Sequence, residues 1–72
     1  MGDLDLHSKI QNYLNDLEFL INKEIDDSYF DKAEGTFLAY EYLINYYKEY
    51  LSKNQIERYT NKCITYKLQI YH

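Results

Sequence analysis

The stretch Asp31–Lys53 reads D-K-A-E-G-T-F-L-A-Y-E-Y-L-I-N-Y-Y-K-E-Y-L-S-K, and it is the most apolar and most periodic part of the chain. Ala33, Phe37, Tyr40, Ile44, Tyr47 and Leu51 recur at alternating steps of four and three. Such steps place all six side chains on one face of an α-helix. The spacing predicts a long central helix over 31–53, with no proline to interrupt it. Asp31 followed by Glu34 suits an N-cap with a reciprocal carboxylate, and Ser28 is a second candidate cap. Gly35 falls in the first turn. A helical glycine costs about 1 kcal/mol relative to alanine, which predicts tight packing at that point.

The other side chains of this helix divide into two arcs at about 100° per residue. Glu34, Glu41, Asn45, Lys48 and Glu49 form a polar arc. Tyr42, Tyr46 and Tyr50 form a second stripe beside the core face, with Ala39 and Leu43 among them. The apolar and aromatic surface therefore exceeds the stripe of about 100° that a surface helix buries. Two neighbouring helices must cover it, or part of it faces a partner.

Working outward, residues 5–25 carry Leu6, Ile10, Tyr13, Leu17 and Leu20 at helical spacing, widened by Leu14, Ile21 and Ile25. This predicts a first helix, capped by Asp3 or Asp5 after a frayed start at residues 1–4. Phe19 falls nearly opposite its core face. Asp26-Asp27-Ser28-Tyr29-Phe30-Asp31 breaks the period and reads as a turn. Its acids lack the alternating ligands and the glycine of a calcium loop, so capping is the better account. Beyond Leu51, Asn54 with Glu57 three residues later predicts a third helix over 55–71. Its core face is Ile56, Tyr59, Cys63, Tyr66 and Ile70, flanked by Ile64, Leu68 and Tyr71. Residues 64–70 also alternate apolar and polar with β-forming side chains, a competing strand pattern. The preferred reading is an all-α three-helix bundle, a helical hairpin plus a C-terminal helix. Its surplus apolar surface predicts a dimer.

Length and composition exclude several classes. Seventy-two residues make one domain with a modest core. No apolar run approaches the ~20 residues that cross a bilayer. The acidic start M-G-D-L-D-L lacks the basic region of a secretory leader, and Leu6 stands where a myristoylation motif wants Ser or Thr. The expected address is the cytoplasm. A single cysteine, Cys63, forms no internal disulfide, and His7 and His72 have no zinc spacing. No cofactor or metal is expected. Lys, Asn, Ile and Tyr supply 30 of the 72 residues, and Gly, Ala, Arg and Pro only five. That usage predicts AT-rich coding, as in Firmicute-type bacteria, their phages and mobile elements.

The chain carries a net charge of −4, unevenly spread. Residues 1–31 hold eight acids and two lysines, and residues 54–72 hold three cations and one acid. An acidic half speaks against general nucleic-acid affinity, which rests on many phosphate contacts. The sequence has no phosphate loop and no metalloprotease helix motif. A nucleophile pair would need Cys63 with His7 or His72, yet Cys63 sits on a core stripe. Glu24, at the core edge, suits an ion pair better than base catalysis. The sequence therefore predicts a non-enzymatic protein-binding module without a small-molecule substrate or a membrane anchor. It would be an accessory protein of a phage or mobile element that modulates or inhibits a larger host protein. Ten tyrosines point the same way, because tyrosine offers a large rigid area plus a hydroxyl. The candidate interface is Phe19, Tyr42, Tyr46 and Tyr50. The acids Asp16, Glu18, Asp26 and Asp27 would oppose a basic target surface. One alternative is a DNA-binding regulator reading the major groove with Arg58, Lys62, Thr65 and Gln69. A second is a structural protein that only self-associates.

Overall fold

A computed structural model describes residues 2–71 of the chain, with side chains from Leu6 onward. Three α-helices follow one another: α1 (Gly2–Asp26), α2 (Phe30–Tyr46) and α3 (Lys53–Ile70). A 3₁₀ turn, Lys48–Tyr50, separates α2 from α3. Three side-chain contacts fix the topology. Glu24 near the end of α1 meets Thr36 near the start of α2, through a 2.7 Å hydrogen bond donated by the threonine hydroxyl. His7 and Gln55, near the starts of α1 and α3, lie 3.2 Å apart. Lys67 late in α3 pairs with Glu41 of α2 at 3.3 Å. The bundle is therefore up-down-up, 41 × 18 × 15 Å overall.

The core is built from all three helices. Ile10, Leu14 and Ile21 enter from α1, Phe37, Tyr40 and Ile44 from α2, and Tyr59, Cys63 and Tyr66 from α3; Leu51 closes one end. Tyr40, Phe37, Leu14 and Ile21 are the largest fully buried side chains. Each contributes about 1.5–3 kcal/mol relative to an exposed position. The core face expected for α2 is observed, with Tyr47 only half-buried. The α3 face is observed as well, and residues 64–70 are helical, so the strand pattern is not used. Among the described residues there is no strand.

Several boundaries differ from the sequence reading. In α1 the buried set is Ile10, Leu14 and Ile21, while Tyr13 and Leu20 are exposed. The helix begins at Gly2, with no frayed start over residues 2–4. Met1 and the side chains of the expected caps Asp3 and Asp5 lie outside the described residues. Neither Asp31 nor Ser28 caps α2. The cap position is Tyr29, which makes no side-chain cap bond, and Asp31 sits in the first turn, where its charge favours the helix dipole. Gly35 is not tightly packed: a Cβ there would meet nothing within 4 Å.

Ser28 instead serves α1. Its amide bonds the Ile25 carbonyl at 3.0 Å and the Tyr29 amide bonds the Glu24 carbonyl at 2.8 Å. This pair of bonds closes a helix as a Schellman motif, whose C′ residue is left-handed and usually glycine. Ser28 occupies that position with φ 63°. An L side chain there is strained by about 1 kcal/mol. Ser28→Gly is expected to raise stability by about 0.5–1 kcal/mol, read as a higher urea midpoint at unchanged m-value. A lower midpoint would contradict the motif.

The central helix stops at Tyr46, seven residues short of the expected end. The cause lies at the start of α3. Ser52 accepts a hydrogen bond from the Gln55 amide at 3.2 Å, and the Gln55 side chain accepts from the Ser52 amide at 2.9 Å. This reciprocal capping box, not Asn54 with Glu57, starts α3. An N-cap needs extended backbone before the helix, and Leu51 is extended at φ −109° and ψ 144°. The turn also brings Leu51 into the core, and Ile56 packs partly buried against that core. Apolar residues just before the cap and four positions after it form a hydrophobic staple.

Candidate interaction surface

The tyrosines divide into an inward and an outward group. At the centre of the bundle the Tyr40 hydroxyl donates to Glu18 Oε2 at 2.8 Å. The rings of Tyr59 and Tyr66 meet Tyr40 edge-on, with centroids 6.2 and 5.9 Å away. Burial, reinforced by the Glu18 bond and charge, pushes the Tyr40 hydroxyl far above the ordinary phenol range. Burial also raises Tyr59 and Tyr66. The Tyr66 hydroxyl is buried with no partner at bonding geometry; the nearby Asn22 side chain favours its ionised form without closing a proper bond. Cys63 is buried and free, and burial pushes its thiol up to about 11, so it is protonated at neutral pH. His7 interacts with Gln55 and Gln11, and no hydrogen bond joins it to Cys63 among the described residues. His72 lies outside the described residues.

Three exposed tyrosines and the half-buried Tyr47 form a ladder. Tyr42 and Tyr46 stack with centroids 5.8 Å apart and planes 23° from parallel. Tyr46 meets Tyr47 edge-on at 4.8 Å, and Tyr47 lies 6.1 Å from Tyr50. Tyr42 and Tyr46 are each 64% exposed. The helical period carries the ladder along α2, and the 3₁₀ turn swings Tyr50 next to Tyr47 after the helix has ended. Tyr47 also lines a groove of about 320 Å³ between α1 and α2, with Leu6, Lys9, Ile10, Tyr13 and Leu43. Ladder and groove thus adjoin through Tyr47, and the groove lining is apolar and aromatic apart from Lys9.

The other expected interface residues are placed differently. Phe19 is the most exposed large apolar side chain of α1, at 72%. It projects from the side of α1 turned away from the core and makes no ring contact with the ladder. Glu18 points inward to Tyr40 and leaves the acidic flank. Asp16 is exposed one turn beyond Tyr13, while Asp26 and Asp27 lie at the opposite end of α1 from the groove. The sequence reading omitted Tyr47, Lys9, Tyr13 and Leu43. Tyr47 counted there as core, and the groove is a contact between helices that no single period records.

On α3, Arg58, Lys62 and Thr65 share a shallow depression with Asn54, Glu57 and Asn61; Gln69 is not part of its lining. The Arg58 guanidinium stands 6.0 Å from the Tyr59 ring centroid. Lys67, the next cation, is held by Glu41. Two cations beside one acid make a weakly basic face.

The chain matches no protein family, curated protein or solved structure with which it was compared. No helix among the described residues is long and apolar enough to cross a membrane. No group of three or more His, Cys, Asp or Glu among them is placed to hold a metal ion.

Proposed function

We propose that the chain is a small non-enzymatic interaction module that docks on a larger protein through the Tyr42–Tyr46–Tyr47–Tyr50 ladder and the adjoining α1/α2 groove. The observation that carries this reading is the continuity of ladder and groove. Protein interfaces are enriched in rigid aromatic side chains with a polar tip, and contiguous exposed apolar surface marks a docking site. The exposed Asp16, one turn beyond Tyr13, supplies acidic character toward a basic target, with Asp26 and Asp27 as a remote acidic end. Docking that covers a working surface of the target would modulate or inhibit it. The AT-rich residue usage supports an accessory role for a phage or mobile element, within the cytoplasm of its host.

The test is binding energetics with a partner isolated on the wild-type chain. Tyr46→Ala removes an exposed ring, so the fold should be retained by circular dichroism. Affinity should fall by more than ~1 kcal/mol in calorimetry, as for an interface anchor. Unchanged affinity would take Tyr46 out of the interface.

A further inference from the structure

The outward face of α2 is complementary to itself. From Gly35 to Tyr46, the positions opposite the buried Ala33, Phe37, Tyr40 and Ile44 are Gly35, Leu38, Ala39, Tyr42 and Tyr46. All five are exposed and none is charged. Two are the smallest residues in the helix and two are among the largest. The separation is the same within each pair: four residues from Gly35 to Ala39, and four from Tyr42 to Tyr46.

We infer that a second copy of this chain occupies this face, with the two α2 helices antiparallel about a two-fold axis level with the Tyr40–Glu41 peptide. In that register Gly35 of one copy lies level with Tyr46 of the other, and Ala39 with Tyr42. Each ring then seats over a small residue, and symmetry repeats both contacts, as an isologous interface requires.

Gly35 supplies an independent argument. It sits in a helix, has no positive φ, and faces open space, so nothing within the bundle requires a glycine there. Close approach of a second copy would make use of the missing Cβ. The face also avoids the acidic first segment, the main source of repulsion between copies that each carry −4.

Tyr42 and Tyr46 at 64% exposure and Leu38 at 52% are the main area the contact can cover. With aromatic side chains burying 150–250 Å² each, the total is on the order of 800 Å², at the low end of specific interfaces. The dimer is therefore concentration-dependent, with a Kd between ~10 µM and ~1 mM.

This inference deepens the interaction reading by naming one occupant of its surface, and it rests on that surface being a docking face. Sedimentation velocity from ~10 µM to ~2 mM, a range spanning that Kd, tests it on three variants. Wild-type mass should rise toward that of a dimer. Gly35→Gln places a neutral side chain in open space, so it should keep the monomer fold and weaken the dimer at least ~10-fold. Leu38→Ala and Tyr42→Ala, both at exposed positions of this face, should each weaken it while keeping the monomer fold. A monomer throughout the range overturns the inference; if Tyr46→Ala still weakens binding to the larger partner, the docking reading survives. Self-association that Gly35→Gln leaves unchanged also overturns it, because the copies then meet elsewhere.

Discussion

Tyr40→Ala should cost about 3–5 kcal/mol, the loss found when a fully buried aromatic side chain is truncated in a core. For a domain of this size that is a large share of the stability, so the urea transition of the variant should move to much lower denaturant. Three terms act together. The ring is completely buried and lies between Tyr59 and Tyr66. Edge-to-face aromatic pairs add about 0.5–1.5 kcal/mol each beyond area burial. Its hydroxyl is also the partner of Glu18, which points into the bundle. Tyr40→Phe separates these terms: it keeps the ring and removes only the bond to the carboxylate, at about 1.5–3 kcal/mol. Urea unfolding followed by circular dichroism measures both. A loss below ~1.5 kcal/mol for the alanine variant would mean that the helices do not depend on this ring.

The same residue shows how far the fold is legible in the chain. Alternating steps of four and three from Ala33 to Ile44 identify the buried face of α2, because one helix period dominates there. In α1 two apolar sets overlap, one containing Tyr13 and Leu20 and the other Leu14 and Ile21. The period allows both, and packing against α2 and α3 selects the second. Helix ends are less legible for a similar reason. Ser52 with Gln55 and Asn54 with Glu57 both fit a capping box, two residues apart. Only the apolar Leu51 before Ser52 and Ile56 after Gln55 distinguish them, as a staple that the Asn54 frame lacks. Recognising that staple would also have stopped the central helix before Leu51.

The candidate surface was partly legible on the same grounds. The stacking of Tyr42 on Tyr46 follows from their four-residue spacing, since residues so separated are neighbours on a helix. An unbroken helix would group Tyr50 with them by period, yet it reaches the ladder through Tyr47 and a 3₁₀ turn. Glu18 illustrates the opposite error. A carboxylate beside the core face of α1 reads as solvated until a tyrosine hydroxyl on another helix is placed 2.8 Å from it. Contacts between helices carry no period, and the α1/α2 groove is of that kind.

Stability should also fall steeply above about pH 9. Tyr40, Tyr59, Tyr66 and Cys63 are buried, and burial raises the pKa of each. In the unfolded chain a tyrosine titrates near 10 and a cysteine near 8.5–9. Below those values both states hold the proton, and the groups leave stability independent of pH. Above them the unfolded chain releases protons that the folded chain keeps, so stability declines as pH rises. Cys63 acts first, from about pH 9 until its folded value of about 11. Tyr40 acts over the longest range, because burial and its bond to Glu18 raise it furthest. Helicity and phenolate absorbance recorded together should show the buried phenols ionising cooperatively with loss of the helices. Tyr40→Phe should be less stable at neutral pH and show a shallower alkaline decline. Helicity and urea midpoint that hold to pH 12, or a decline unchanged by Tyr40→Phe, would show that the Tyr40–Glu18 pair does not govern the alkaline limit of this fold.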